Sequence, residues 1–304
     1  MKIPTRDDVL SAAQRISGLV KRTPVMTSRA INTIVGAELY FKCEHLQSTG
    51  AFKFRGASHV LSLMSDEEKK RGVITHSSGN HAQALALAAK RAGVAATIVM
   101  PQGSNPLKKA ATEGYGANVI ECINTQEERE RTCHEEMART GMLLVHPYDD
   151  WRIISGAGTA ALELLEEVPD LDAVIAPVGG GGLLAGTSLA TTGRPVFAAE
   201  PAGADDAYRG FKSGIRVAQH TPETVSDGLR TCVGELNFKI IKEHVEDIAL
   251  ATDEETIQAM KLVHTRMKQL IEPSSAVPLA CLLNGSLPTK GKIGIIISGG
   301  NVAL

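Results

Sequence analysis

Short apolar runs alternate with helical patterns along this chain, and that alternation leaves few folds open. Residues 72–76, 95–100, 118–122 and 142–145 read as strands. Between them fall an alanine-rich helix over 81–92, a helix over 106–113 with proline in its first turn, and a charged helix over 125–139. Short strands separated by helices of this length make repeated β-α-β units, hence parallel sheets with helices on their faces. The order resumes with a strand at 172–178, a helix at 183–190, a strand at 195–199 and a last strand at 293–297. Residues 203–224 read as loop, and 252–270 as one long helix. A length of 304 residues accommodates two domains. The expected fold class is therefore α/β, with two domains, each an open, largely parallel twisted sheet flanked by helices. The expected division is a small α/β domain over 69–148 and a larger, discontinuous domain made of 1–68 and 149–304.

The net charge of −2 gives no basic field for nucleic acid. No apolar run approaches the ~20 residues of a membrane helix, and the first residues lack the apolar core of a secretory signal. The five cysteines, Cys43, Cys122, Cys133, Cys232 and Cys281, are odd in number and include no CxxC pair. That argues against a disulfide framework and a zinc cluster, makes each a small core residue, and makes the cytoplasm the expected compartment.

One lysine stands out. Residues 48–57 (Ser-Thr-Gly-Ala-Phe-Lys-Phe-Arg-Gly-Ala) set Lys53 among small and aromatic residues just after a polar turn. Burying an ammonium costs several kcal/mol, so such a lysine tends to lose its proton, and a neutral amine condenses with aldehydes. The plainer alternative is a snorkelling lysine on an amphipathic helix.

The strand at 172–178 runs into Gly179, Gly180, Gly181 and Gly182, and a helix opens at Leu183. Glycines let backbone N–H groups close on a ligand, and a helix N-terminus adds partial positive charge, so this is a phosphate cup. No GK[ST] follows, which excludes a nucleotide P-loop. A dinucleotide site is the rival: Gly180, Gly182 and Ala185 satisfy GxGxxA, and Glu200 ends the next strand about twenty residues on.

After the strand at 72–76 come Ser77, Ser78, Gly79, Asn80 and His81. A helix cap needs one such residue; two hydroxyls and an amide at one helix start suit a bound carboxylate. His81 reads as a base or as a donor at the helix start. The C-terminal run Ser298-Gly299-Gly300-Asn301 repeats the pattern beyond a buried strand, the position of sites in open α/β sheets.

Taken together, the lysine segment, the Ser-Ser-Gly-Asn-His turn, the tetraglycine and the terminal Ser-Gly-Gly-Asn resemble fold-type II pyridoxal-phosphate enzymes, and within them the serine/threonine dehydratase–serine racemase family. The resemblance spans nearly the whole chain and displaces the dinucleotide reading, which explains neither Lys53 nor the two serine-glycine turns. It implies that Lys53 carries pyridoxal 5′-phosphate and that Phe52 lies against its ring. It assigns Asn80 to the ring 3′-oxygen, Ser298 to the pyridine nitrogen, and Gly179, Gly180, Gly181, Gly182 and Leu183 to the phosphate. Ser77, Ser78 and His81 would face the substrate carboxylate or α-carbon. Arg129 matches a substrate-facing arginine, although it sits in a charge-dense helix where a solvated role is the alternative. Glu200, the carbonyl of Ala204 and Asp206 look like the family's divalent-cation loop, with hard oxygens suited to magnesium or calcium.

The activity so implied is α,β-elimination of small β-hydroxy amino acids such as L-serine and L-threonine to 2-oxo acids and ammonia, by a homodimer. Serine racemase and L-threo-3-hydroxyaspartate ammonia-lyase are the alternatives within the family. Ser78 is the discriminating position: many plain dehydratases of the family carry alanine there, whereas racemases and hydroxyaspartate lyases carry serine. Tyr148, where mammalian-type racemases tend to have asparagine, points away from strong racemisation. With the last strand so close to Leu304, no C-terminal regulatory domain and no feedback by isoleucine are expected.

Overall fold

The structure is a computed structural model that describes residues 2–288 and 290–302; the outer limits expected for the larger domain, Met1 and Leu304, lie outside the described residues. Its strands are β1 Val25–Met26, β2 Glu38–Cys43, β3 Val73–His76, β4 Ala96–Pro101, β5 Asn118–Cys122, β6 Leu143–Leu144, β7 Ala173–Pro177, β8 Val196–Pro201, β9 Asp247–Ala251 and β10 Lys292–Ile297. They form a six-stranded sheet in the order β1-β2-β10-β7-β8-β9 and a four-stranded sheet in the order β5-β4-β3-β6. Every pairing is parallel except that of β1 with β2. The smaller sheet is drawn entirely from 73–144, and the larger from the chain on either side of it.

Strands β4, β7 and β8 are buried at every residue. Such near-continuous apolar runs belong to parallel strands covered on both faces. Alternate residues serve the two faces of the larger sheet. Val174, Ala176, Val196, Ala198 and Ile296 join one core cluster, while Ala173, Ile175, Phe197, Ala199 and Ile295 join another. Under the smaller sheet, Val73, Ile98 and Met100 pack on Ala82, Leu85 and Ala89 of the helix Asn80–Ala92. The C-terminal strand β10 lies inside the larger sheet, with Ile293 opposite both Leu39 and Ala173.

Two expectations need correction. The stretch 203–224 contains a helix, Asp206–Ser213, which buries Asp206, Ala207 and Gly210 and ends at Gly214 in the left-handed region. The helix is only about two turns long and carries a glycine inside it, so its local pattern is weak. The helix expected over 252–270 is Asp253–Met267: Thr252 and Glu255 form a capping box at its start, and Lys268, at φ 58°, ends it. Among the described residues no helix is long and apolar enough to cross a membrane.

Candidate active site

Four segments converge at the carboxyl ends of parallel strands: the lysine segment beyond β2, the serine turn after β3, the tetraglycine after β7 and Ser298 after β10. The first and last are joined directly. Phe52 N–H donates to the Ser298 carbonyl (2.9 Å), Gly300 N–H to the Gly50 carbonyl (2.9 Å), and Ala51 bridges Gly299. The Asn301 amide donates to the carbonyl of Thr49 (2.7 Å) and to Asn80 Oδ1 (2.9 Å), bringing in the serine turn.

Lys53 begins the helix Lys53–Leu63. That helix is held from behind by Arg55, whose fully buried guanidinium is bidentate to Glu44 (2.7 and 2.8 Å) and to Glu163 (2.7 and 2.7 Å). Lys42 Nζ donates to the same Glu163 (2.6 Å), so two cations face two carboxylates. The helix also lies so close to Trp151–Glu167 that a Cβ on Gly156 would fall 2.7 Å from the Gly56 Cα. Lys53 Nζ donates to the Pro147 carbonyl (2.8 Å) and lies 5.1 Å from the centre of the Phe52 ring. Burial lowers its ammonium from 10.5 to about 8, against the opposing pull of the Glu272 carboxylate.

Glu272 is the residue that the sequence reading missed. It is buried, its two oxygens accept from Asn80 Nδ2 (2.9 and 3.1 Å), and Asn301 N–H adds a third bond (3.2 Å). Burial pushes its carboxyl up to about 7, the hydrogen bonds opposing. Its only trace in the sequence is an acid between Ile271 and Pro273, which reads as an ordinary helix cap. Asn80 is thereby fixed in orientation, with its amide nitrogen on Glu272 and its oxygen on Asn301. Ser298 Oγ lies 3.0 Å from Ser275 Oγ, which also sits 2.7 Å from the Gly299 carbonyl.

The tetraglycine is tight because neighbours press on it. A Cβ on Gly180 would lie 2.3 Å from the Tyr148 ring, and Gly181 adopts φ +91°. The Gly180 carbonyl is held from outside by Gly234 N–H (3.1 Å) and Asn237 Nδ2 (2.7 Å). The N–H groups of Gly179, Gly180, Gly181, Gly182 and Leu183 have no acceptor among the described residues. Five free donors at the start of the helix Gly182–Ala190 fit a phosphate. Tyr148 joins this cup to the lysine, with Lys53 Nζ 6.0 Å from its ring centre. Glu200, the acid that a ribose would need, is fully buried, and its oxygens accept from Ala207 N–H (2.9 Å) and Tyr208 N–H (2.8 Å). Both oxygens are thus taken up by backbone donors of the following helix, and neither is offered to a ribose.

Ser77 and Ser78 are half-buried, and the Ser78 hydroxyl has no partner among the described residues. His81 is turned inward, Nε2 to the Val145 carbonyl (3.3 Å). Burial and the nearby Lys53 hold it well below the usual imidazole range, so it stays neutral. His146 Nδ1 accepts from Tyr148 N–H (3.3 Å) and Asp149 N–H (2.8 Å), placing its proton on Nε2; burial and His76 lower it to about 4. Arg129 is half-buried, its Nε on the Thr125 carbonyl (3.3 Å), and its charge reaches His76. In the acidic loop, Asp206 Oδ2 accepts from Val233 N–H (2.9 Å), whereas its buried Oδ1 has no hydrogen-bond partner among the described residues. Its nearest polar neighbour is His220 Nδ1, at 3.3 Å, and a buried carboxylate oxygen without a hydrogen bond fits a bound cation.

The family model for pyridoxal-phosphate-dependent enzymes matches residues 16–299. The chain belongs to that family. Serine racemase of Dictyostelium discoideum is 48% identical, with 100% of this chain and 97% of the relative covered. A β-hydroxyaspartate dehydratase of Paracoccus denitrificans is 46% identical over 100% of this chain and 98% of its own length. The solved structure of maize serine racemase superposes with a TM-score of 0.97 at 40% identity, covering 100% of this chain and 95% of that one. As a member of the pyridoxal-phosphate family, the chain uses an aldehyde cofactor that needs an amine and a phosphate seat. Lys53 and the free N–H groups of the tetraglycine have that chemistry.

Proposed function

We propose that this chain is an ammonia-lyase for small β-hydroxy amino acids, releasing 2-oxo acids and ammonia. L-serine, L-threonine and L-threo-3-hydroxyaspartate are the substrates of choice. The carrying observation is Lys53: an amine lowered to about 8, set beside Phe52 and joined through Tyr148 to five free backbone donors. When bound, pyridoxal phosphate supplies an electron-poor ring that stabilises negative charge at a substrate α-carbon. Residues 179–183 would hold its phosphate, Phe52 would pack on the ring, Asn80 would face the 3′-oxygen and Ser298 the pyridine nitrogen. The Lys53 amine then serves as the base for the α-proton. Ser298 would offer the ring nitrogen a hydroxyl, a poorer proton donor than a carboxylic acid, a setting that suits elimination of a β-substituent as water. Ser77 and the start of the helix Asn80–Ala92 would bind the substrate carboxylate, with Arg129 at the rim.

Racemisation is the second reading. It is favoured by the partnerless Ser78 hydroxyl and by the racemases among the relatives. We further propose a divalent ion in the loop holding Glu200, Ala204 and Asp206, supported by the buried Asp206 Oδ1, which has no hydrogen bond among the described residues. A homodimer and domain limits of 69–148 within 1–68 and 149–304 complete the reading.

The test is chemical. Borohydride reduction of the cofactor-loaded protein, followed by peptide mapping, should place a phosphopyridoxyl group on Lys53. Lys53→Ala should lose at least about a thousandfold in turnover, the scale of a removed catalytic base or nucleophile. An unlabelled Lys53, or a panel of hydroxy amino acids yielding neither oxo acid nor inverted enantiomer, would sink the proposal.

A further inference from the structure

Cys232 is half-buried, the exception among cysteines that are otherwise buried in the core. It faces His220, with Sγ 3.0 Å from Nδ1, and the same nitrogen lies 3.3 Å from Asp206 Oδ1. One ring nitrogen thus faces both a sulfur and a carboxylate oxygen. The three ligand atoms lie within 4.8 Å of one another. The Asp206 and His220 side chains are 1% and 6% exposed, and Asp206 Oδ1 has no hydrogen-bond partner. The spacing matches an ion. Metal–nitrogen and metal–oxygen bonds of ~2.0 Å at a tetrahedral centre set N···O at about 3.3 Å, and a metal–sulfur bond of ~2.3 Å sets N···S at about 3.5 Å. The first is met already, and the second needs an opening of about half an ångström.

We propose that Asp206, His220 and Cys232 bind a divalent transition ion of the zinc class. This rests on the reading that the acidic loop takes a divalent ion, and it changes the ion's class. Magnesium and calcium take oxygen ligands, whereas an imidazole and a thiolate select zinc or its transition-metal neighbours. Binding releases the thiol proton to solvent. The half-exposed side of Cys232 leaves a fourth position open to water.

The site also has a task. His220 and Cys232 belong to the irregular chain between the helices Asp206–Ser213 and Glu235–His244. Asp206 Oδ2 holds Val233 N–H, and the next residue, Gly234, donates to the Gly180 carbonyl. An ion at these three ligands therefore clasps that segment to Asp206 and steadies the outer wall of the phosphate cup.

The experiment uses the full-length, cofactor-loaded protein, stripped with a chelator and reloaded with zinc. Competition against a chromophoric chelator should give one ion per chain, undisturbed by a large excess of magnesium or calcium. X-ray absorption at the zinc edge should show one sulfur neighbour at about 2.3 Å. Cys232→Ser should lose that neighbour and bind zinc at least about tenfold more weakly, while the chelated variant melts at the same temperature as the chelated parent. His220→Ala should weaken zinc as much. Displacement of zinc by magnesium or calcium, or a zinc shell of nitrogen and oxygen unchanged in Cys232→Ser, overturns this proposal and leaves the divalent-ion reading standing. Absence of binding by all three ions overturns both.

Discussion

At the residue scale, two side chains carry separable consequences. The Ser78 hydroxyl is half-buried and unpartnered. If it serves as the second proton carrier, Ser78→Ala should abolish racemisation while deamination of L-serine stays within about threefold, since elimination needs one base rather than two. Equal loss of both activities in a folded variant would rule out the two-carrier scheme. Glu272 makes a stability statement. Its folded-state value of about 7 lies above the 4.5 of an ordinary carboxyl. Between those two values the folded cofactor-free chain holds a proton that the unfolded chain has lost. Stability therefore falls as pH rises through that window, by up to about 1.4 kcal/mol per pH unit. Glu272→Gln removes the titration. Urea unfolding of the two cofactor-free proteins should show the variant gaining on its parent from pH 4.5 to 7, by about 3 kcal/mol at most. A difference that does not vary with pH would show that Glu272 titrates normally.

At the scale of elements, the helix Lys53–Leu63 is the part that must not move. Its hold is the buried set of Arg55, Glu44, Glu163 and Lys42, which ties it to β2 and to Trp151–Glu167. Removing one partner of such a set leaves a buried charge uncompensated and costs about 3–5 kcal/mol. Arg55→Ala should lower the urea midpoint accordingly. The surviving folded protein should bind cofactor more weakly, because Lys53 stands two residues from the lost guanidinium. Unchanged stability would mean that the charges are better hydrated than their burial indicates. None of this was legible beforehand. Arg55 carries no local sign of burial, because its partners lie 11 and 108 residues away. By contrast, the strands and helices of 72–145 were legible, because continuous apolar runs and alanine-rich turns announce a covered parallel sheet by composition and period alone. The helix Asp206–Ser213 was not, since it is about two turns long and what it buries is an acid, an alanine and a glycine rather than an apolar stripe.

At the scale of the whole molecule, the candidate site lies where two parallel sheets present their carboxyl ends to one another. β10, almost the last residues of the chain, is inserted between β2 and β7, and this brings Ser298 beside Phe52 and within one sheet of the tetraglycine. The smaller sheet supplies the serine turn from β3, and Glu272 and Asn301 reach across to fix Asn80. Linear distance hides all of this.

The amino-acid order alone determined the α/β class and singled out the lysine, the tetraglycine and the two serine-glycine turns. Each is a local pattern whose chemistry follows from neighbours a few residues apart. Tertiary structure alone decided which of these groups share a proton or a charge. Glu272 on Asn80, Glu163 on Arg55, and the His220 ring against Cys232 and Asp206 are contacts between groups brought together by strand order and helix packing. The energies that set their protonation are those of burial, which exists only once the chain has folded.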